Sequence, residues 1–173
     1  MKSSILVLFG LALVAGTASA QTTFQEDILP TSVGDLKITF IGHGTLMFTI
    51  GDKTIHVDPW SRAGDYGSLP KADLILVTHE HGDHLDAAAI DLIKQDDTAI
   101  VVTEMCAERL EAGIVMRNGE SRTIGGVGIE AVPAYNLVNL RPNGAPFHPK
   151  GAGNGYVLTF GDTRVYVAGD TEN

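Results

Sequence analysis

Cysteine is nearly missing from this chain: Cys106 is the only one in 173 residues. A single thiol forms no internal disulfide, so a disulfide-built framework is excluded. Cys106 falls in a helix-like stretch and is expected as an inert core thiol. No cysteine stands near residue 21 to carry a lipid anchor. Basic charge is also scarce. Lys and Arg number 12 against 21 Asp and Glu, a formal net charge of −9. The chain shows no basic stripe and no basic patch interleaved with aromatics, which argues against nucleic acid as a partner. The acidic balance is read as solubility. Long apolar runs are lacking too. Ile5 to Val14 is too short to cross a bilayer, and no later segment is a candidate.

That short run is part of a sorting signal. Lys2 supplies a positive start, Ile5 to Val14 the apolar centre, and Ala18-Ser19-Ala20 a small-residue cleavage site. Polar Gln21-Thr22-Thr23 follows at once, which disfavours a buried N-terminal helix. Residues 1–20 are therefore expected as a leader cleaved after Ala20, delivering the protein to the periplasm or beyond. Residues 21–173 are enough for one domain with a core of its own.

Apolar and turn-forming residues divide that domain. Leu36 to Ile41 reads as a strand, and Thr45 to Ile50 with Thr54 to Asp58 as a hairpin around Gly51-Asp52-Lys53. A loop rich in Gly, Ser and Pro covers Trp60 to Pro70. Ala72 to Thr78 is a continuous apolar run that fits a strand buried on both faces. Asp86 is placed as the N-cap of a helix reaching Lys94. Ala99 to Thr103 is a strand and Glu104 to Ala112 a helix closed by Gly113. Val127 to Val132 is another strand. Tyr156 to Phe160 and Arg164 to Ala168 form a second hairpin, which aligns without gaps on the first. Duplication and chance convergence both explain that likeness. The loop from Ala134 to Gly155 is too long to be idle. Strands, then helices, then strands again indicate a layered α/β domain.

The chemistry lies in Thr78-His79-Glu80-His81-Gly82-Asp83-His84, directly after the buried strand. Strand ends in layered α/β folds hold the following loop rigidly, which is what a site requires. Three imidazoles and a carboxylate so close together would be wasted in a core. Around a divalent cation they are the ligand types a hydrolytic zinc site takes. The spacing is not that of a helix face, so an irregular loop must present them, with Gly82 allowing a sharp turn. With 6 histidines in the chain, H-x-H-x-D-H should arise by accident in roughly one shuffled chain in two thousand.

His79, His81, Asp83 and His84 resemble the signature of the metallo-β-lactamase-fold hydrolases. Phe40-Ile41-Gly42-His43-Gly44-Thr45 and Val57-Asp58-Pro59 are similar to the branch holding small lactonase-like and phospholipase D-like members, and Ala168-Gly169-Asp170-Thr171 is similar to the family's later Gly-Asp-Thr motif. The resemblance runs from about Leu36 to the end. It implies a four-layered αββα sandwich with the metals between two sheets. It further implies that His79 and His81 hold a first zinc, Asp83 and His84 a second, and that Asp170 bridges the two. A water between two zincs loses a proton near neutral pH and attacks, while the metals polarise the scissile bond. Asp83 is expected to orient that hydroxide. The implied activity is hydrolysis of an ester, lactone or phosphodiester bond in a small molecule. β-Lactamase activity is open only by analogy of fold.

Two departures stand out. The family usually places a further first-site histidine where Val132-Pro133-Ala134-Tyr135-Asn136 has Asn136, a poor zinc ligand. Either the first site is weaker, or His148 of His148-Pro149-Lys150-Gly151 substitutes. Lys150 is read as a solvated loop lysine. The family also has a final second-metal histidine well beyond the Gly-Asp-Thr motif, so the chain is expected to be C-terminally incomplete. His43, flanked by glycines, is a candidate to line the cleft. Asp58 is either a turn residue or the outer-shell partner of a ligand histidine. His56 is expected to be structural. Two rivals remain: an exported metal-binding protein without turnover, and oxidoreductase chemistry at a di-iron version of the site.

Overall fold

The computed structural model describes residues 23–172. The leader expected over residues 1–20 lies outside the described residues. Two sheets carry the fold. The first has seven strands in the order β1-β2-β3-β4-β5-β6-β7: β1 Gln25–Thr31, β2 Gly34–Gly42, β3 Thr45–Ile50, β4 Lys53–Val57, β5 Leu74–Leu76, β6 Ala99–Val102 and β7 Ile114–Val115. The second has four, in the order β11-β10-β9-β8: β8 Ser121–Ile124, β9 Val127–Ala134, β10 Gly153–Phe160 and β11 Thr163–Val167. Strands β1 to β4 pair antiparallel; β4 to β7 run parallel. Two helices, α1 Ala87–Ile93 and α2 Glu104–Leu110, fill the crossovers of the parallel part.

The apolar run at β5 explains the layering. Side chains alternate across a strand, so Leu74 and Leu76 join the core between the sheets, with Leu36, Phe48, Ile55, Ile129, Tyr156 and Leu158. Ile75 and Val77 point the other way and pack against Ala89, Ile90 and Ile93 of α1 and Cys106 of α2. Fully burying each such side chain stabilises the fold by about 1.5–3 kcal/mol. Three layers result among the described residues: helices, the large sheet and the small sheet. Cys106 is fully buried, and burial pushes its thiol up to about 11, so it is chemically quiet.

Several boundaries differ from expectation. The strand expected over 72–78 is only β5: Asp73 turns aside to accept from Thr54 N–H at 2.8 Å, and Val77 and Thr78 lead into the loop that carries the site. Helix α2 ends at Leu110, with Glu111 rather than Gly113 taking the left-handed C-cap position at φ 52°. Strand β10 begins three residues before Tyr156, shortening the loop after β9 to residues 135–152. Strands β1, β7 and β8 have no counterpart in the sequence reading. The two similar hairpins sit in different sheets, with matching closures at Ile50↔Lys53 and Phe160↔Thr163. Among the described residues, no helix is long and apolar enough to cross a membrane.

Candidate metal centre

Strand β5 delivers the chain to Thr78, where the polar work begins. Thr78 is fully buried, and its carbonyl accepts from Asn154 N–H at 2.9 Å, tying the loop to β10 of the opposite sheet. The hydroxyl of Tyr156 donates to Val77 O at 2.9 Å and reinforces that tie. Beyond Thr78 the loop turns on itself, with His84 N–H donating to His81 O at 3.0 Å. The guanidinium of Arg109 on α2 holds Glu80 O from outside.

Asp58 organises the buried end. Its Oδ1 accepts from Thr78 N–H at 2.7 Å, and its Oδ2 accepts from the Thr78 hydroxyl at 2.7 Å and His84 Nδ1 at 2.8 Å. The Thr78 hydroxyl, having given its proton to Asp58, is left to accept from His79 Nδ1 at 3.0 Å. Both imidazoles therefore carry hydrogen on Nδ1 and turn Nε2 inward. Burial raises the Asp58 pKa above the usual carboxylate range. Burial also works to lower His84, but the Asp58 hydrogen bond and charge outweigh it and the net shift is upward. For His79, burial and then the surrounding imidazoles push the pKa down to about 2, so it stays a neutral donor.

The inward nitrogens converge. His79 Nε2 lies 3.1 Å from His81 Nδ1, which lies 3.0 Å from His148 Nε2. His84 Nε2 is buried with no hydrogen-bond partner; Asp170 Oδ1 is 3.3 Å away but not in hydrogen-bond geometry. Asp170 Oδ2 lies 3.4 Å from His148 Nε2. Imidazole nitrogens this close need a proton or a cation between them; the single ring hydrogen of a neutral His81 does not fully serve both neighbours, and the buried, orphaned His84 Nε2 needs a partner as well. Three overlapping ligand groups meet these needs: His79, His81 and His148; His79, His84 and Asp170; and His43, Asp83 and His84. Neutral imidazoles with carboxylates are a donor set that divalent transition metals accept. The residues fit a metal.

Each candidate has a definite place. His43 holds a left-handed φ of 55°, its ring edge-on to Trp60 and to His84 at 5.2 Å each. Its Nε2 is 3.4 Å from Asp83 Oδ2, and both residues face the open side. Gly44 lies against the His84 ring: a Cβ there would come within 3.0 Å of Cε1. Gly169, at φ 62°, lets Asp170 reach the site, since a Cβ would meet Asn154 O at 3.0 Å. Asn136 is not among the converging donors; its Oδ1 accepts from His148 N–H and from His148 Nδ1, both at 2.8 Å. His56 is buried and directs Nε2 to Pro70 O at 3.0 Å, away from the centre. Lys150 lies over the Tyr135 ring, 5.2 Å from its centroid. Thr78 and Glu172 join the site without having been candidates from the sequence. Thr78 adjoins the motif and was legible; Glu172 looks like any acidic residue until folding brings it to the 135–139 segment.

Residues 37–173 match the family described as a beta-lactamase superfamily domain. A metal-dependent hydrolase of the UPF0173 group from Pelotomaculum thermopropionicum is 33% identical over 146 residues, covering 79% of this chain and 62% of that protein. The crystal structure of a protein described as a metal-dependent hydrolase from Parabacteroides distasonis is 49% identical, with a TM-score of 0.82, covering 87% of this chain and 68% of that one. Igni18, a metallo hydrolase from Ignicoccus hospitalis, shares the fold at 22% identity, with a TM-score of 0.58. This chain spans about 62% of the length of the curated relatives it matches.

Proposed function

We propose, of a chain that belongs to the metallo-β-lactamase superfamily, that it forms the metal-binding part of a zinc-dependent hydrolase. The observation that carries this is the convergence of His79 Nε2, His81 Nδ1 and His148 Nε2, with successive separations of 3.1 and 3.0 Å, beside Asp170. His79, His81 and His148 would hold one zinc, with Asp83 and His84 on a second and Asp170 between them. Bound there, the cations supply Lewis-acid polarisation of the scissile bond and acidify water.

The chain's own groups do the rest. Asp58 and Thr78 hold the ring hydrogens of His84 and His79 on Nδ1 and turn the Nε2 atoms inward. Asp83, on the open side, is the carboxylate placed to orient an attacking water and take its proton. His43 and Trp60 border the same opening. The bond broken is an ester, lactone or phosphodiester of a small molecule. A further helical layer over the small sheet would complete the four-layered sandwich. The leader-like residues 1–20 support action in the periplasm or outside the cell.

The test uses the full chain, stripped with a chelator and reloaded with zinc. Hydrolysis of a lactone, an aryl ester or bis-(p-nitrophenyl) phosphate should disappear on stripping and return with zinc. His81→Ala should remove bound zinc and turnover together, by more than the about 10–100-fold of an outer-shell change. Zinc uptake with no turnover on any of the three would sink the hydrolase reading in favour of a metal-binding protein.

A further inference from the structure

Asn136 occupies the position where a ligand histidine was expected, and its amide is fixed at both ends. Oδ1 accepts from the backbone and ring Nδ1 of His148, both at 2.8 Å. Nδ2 donates to Glu172 Oε1 at 2.9 Å. Reversing the amide would set NH2 against two His148 donors and an oxygen against a carboxylate, so only one orientation is satisfied. Glu172 is itself immobilised. Its Oε2 accepts from Leu137 N–H and Val138 N–H, the latter at 2.6 Å, and its Oε1 from Asn139 N–H at 3.0 Å and from the Asn139 side chain. Three successive backbone N–H groups thus form a concave seat for one carboxylate.

We propose that Glu172 is a positioning residue that sets the tautomer of His148 through Asn136. A carboxylate only accepts, so Asn136 must offer it NH2 and turn its oxygen to His148. That oxygen only accepts, so His148 must keep its hydrogen on Nδ1. The Nε2 lone pair is then left facing His81 and Asp170. The Asn136–Glu172 pair orients a ligand histidine donated by the distant 135–152 loop. Asp58 performs the same service for His84.

This rests on His148 being a first-site ligand, and the test separates the two ideas. In zinc-free, full-length protein, 15N-imidazole NMR should show His148 as the Nδ1–H tautomer. Glu172→Gln puts an NH2 against donors now accepted by the carboxylate, frees the Asn136 amide to turn, and should shift His148 toward Nε2–H. First-site zinc affinity should fall about 10–100-fold with it, and the effect should vanish in a His148→Ala background. Adding Asn136→Asp to Glu172→Gln reverses the polarity of the pair, since the new amide at position 172 can donate to the new carboxylate at position 136, and should restore both tautomer and affinity. The proposal is overturned if Glu172→Gln leaves the tautomer unchanged, if its effect persists without His148, or if the reversed pair fails to rescue. If His148 signals do not move on adding zinc, the ligand reading fails, while the metal-free tautomers still decide the relay.

Discussion

Asp58 meets three donors with two oxygens while 1% exposed and at a left-handed φ of 46°. Asparagine tolerates that backbone, so Asp58→Asn isolates the chemistry from the fold. The new NH2 would face His84 Nδ1, which must then accept, moving its hydrogen to Nε2 and closing the lone pair to a metal. Asp58→Asn should unfold about 1–3 kcal/mol more easily yet remain folded at 25 °C. It should lose the zinc that His84 is proposed to hold, as read by zinc per chain after dialysis. Wild-type zinc content in a folded Asp58→Asn protein would mean that His84 does not bind through Nε2. The triple role of Asp58 was only half legible: Asp-Pro after a strand marks a turn, and nothing in sequence spacing brings Thr78 and His84 onto its two oxygens.

Among the elements, α1 carries the clearest local code. Asp86 caps it, its Oδ1 accepting from Ala88 N–H at 3.0 Å and Ala89 N–H at 3.3 Å. The other oxygen accepts from Ser61 N–H at 2.9 Å and from the Ser61 hydroxyl, which anchors the loop after Asp58 to the start of the helix. Asp86→Ala should destabilise the protein by about 1–2 kcal/mol, near the top of the range for a lost cap, with the change seen in urea unfolding at pH 7. A loss under about 0.5 kcal/mol would mean that water replaces both sets of bonds. The cap, α2, β2 to β6 and both hairpins were legible because each is encoded by its own residues. Strands β1 and β8 were not. Six of the seven β1 residues are exposed and Pro30 lies in the strand, which suits an edge and leaves no alternation to read. Ser121–Ile124 is equally polar, a strand only because β9 lies beside it.

Stability against pH belongs to the molecule as a whole, and His56 sets part of it. Burial holds its pKa at about 4, and Nδ1 has no hydrogen-bond partner. An unfolded histidine titrates near 6.5. Between these values the unfolded chain takes up a proton that the folded one refuses. Stability is therefore complete above pH 6.5 and is lost as pH falls toward 4, by about 3 kcal/mol from this residue. In zinc-free protein, chemical unfolding between pH 7 and 4 should show His56→Gln losing less stability than wild type by roughly that amount. Parallel curves would assign the acid sensitivity to other groups. The same scale governs the candidate metal centre, whose members come from loops at the strand ends of both sheets, up to 127 residues apart in the chain, from His43 to Asp170.

By itself the sequence determined the layered α/β class, the strand buried on both faces and the run His79 to His84 as a candidate metal-ligand motif, because side-chain alternation, capping and ligand spacing are all written within a dozen residues. Only the tertiary structure decided that His148 rather than Asn136 turns a nitrogen into the centre, and that Thr78, Asp58 and Glu172 direct the imidazoles. Those choices depend on which donor faces which acceptor across two packed sheets, and a hydrogen bond spanning 26 or 36 residues leaves no period in the chain.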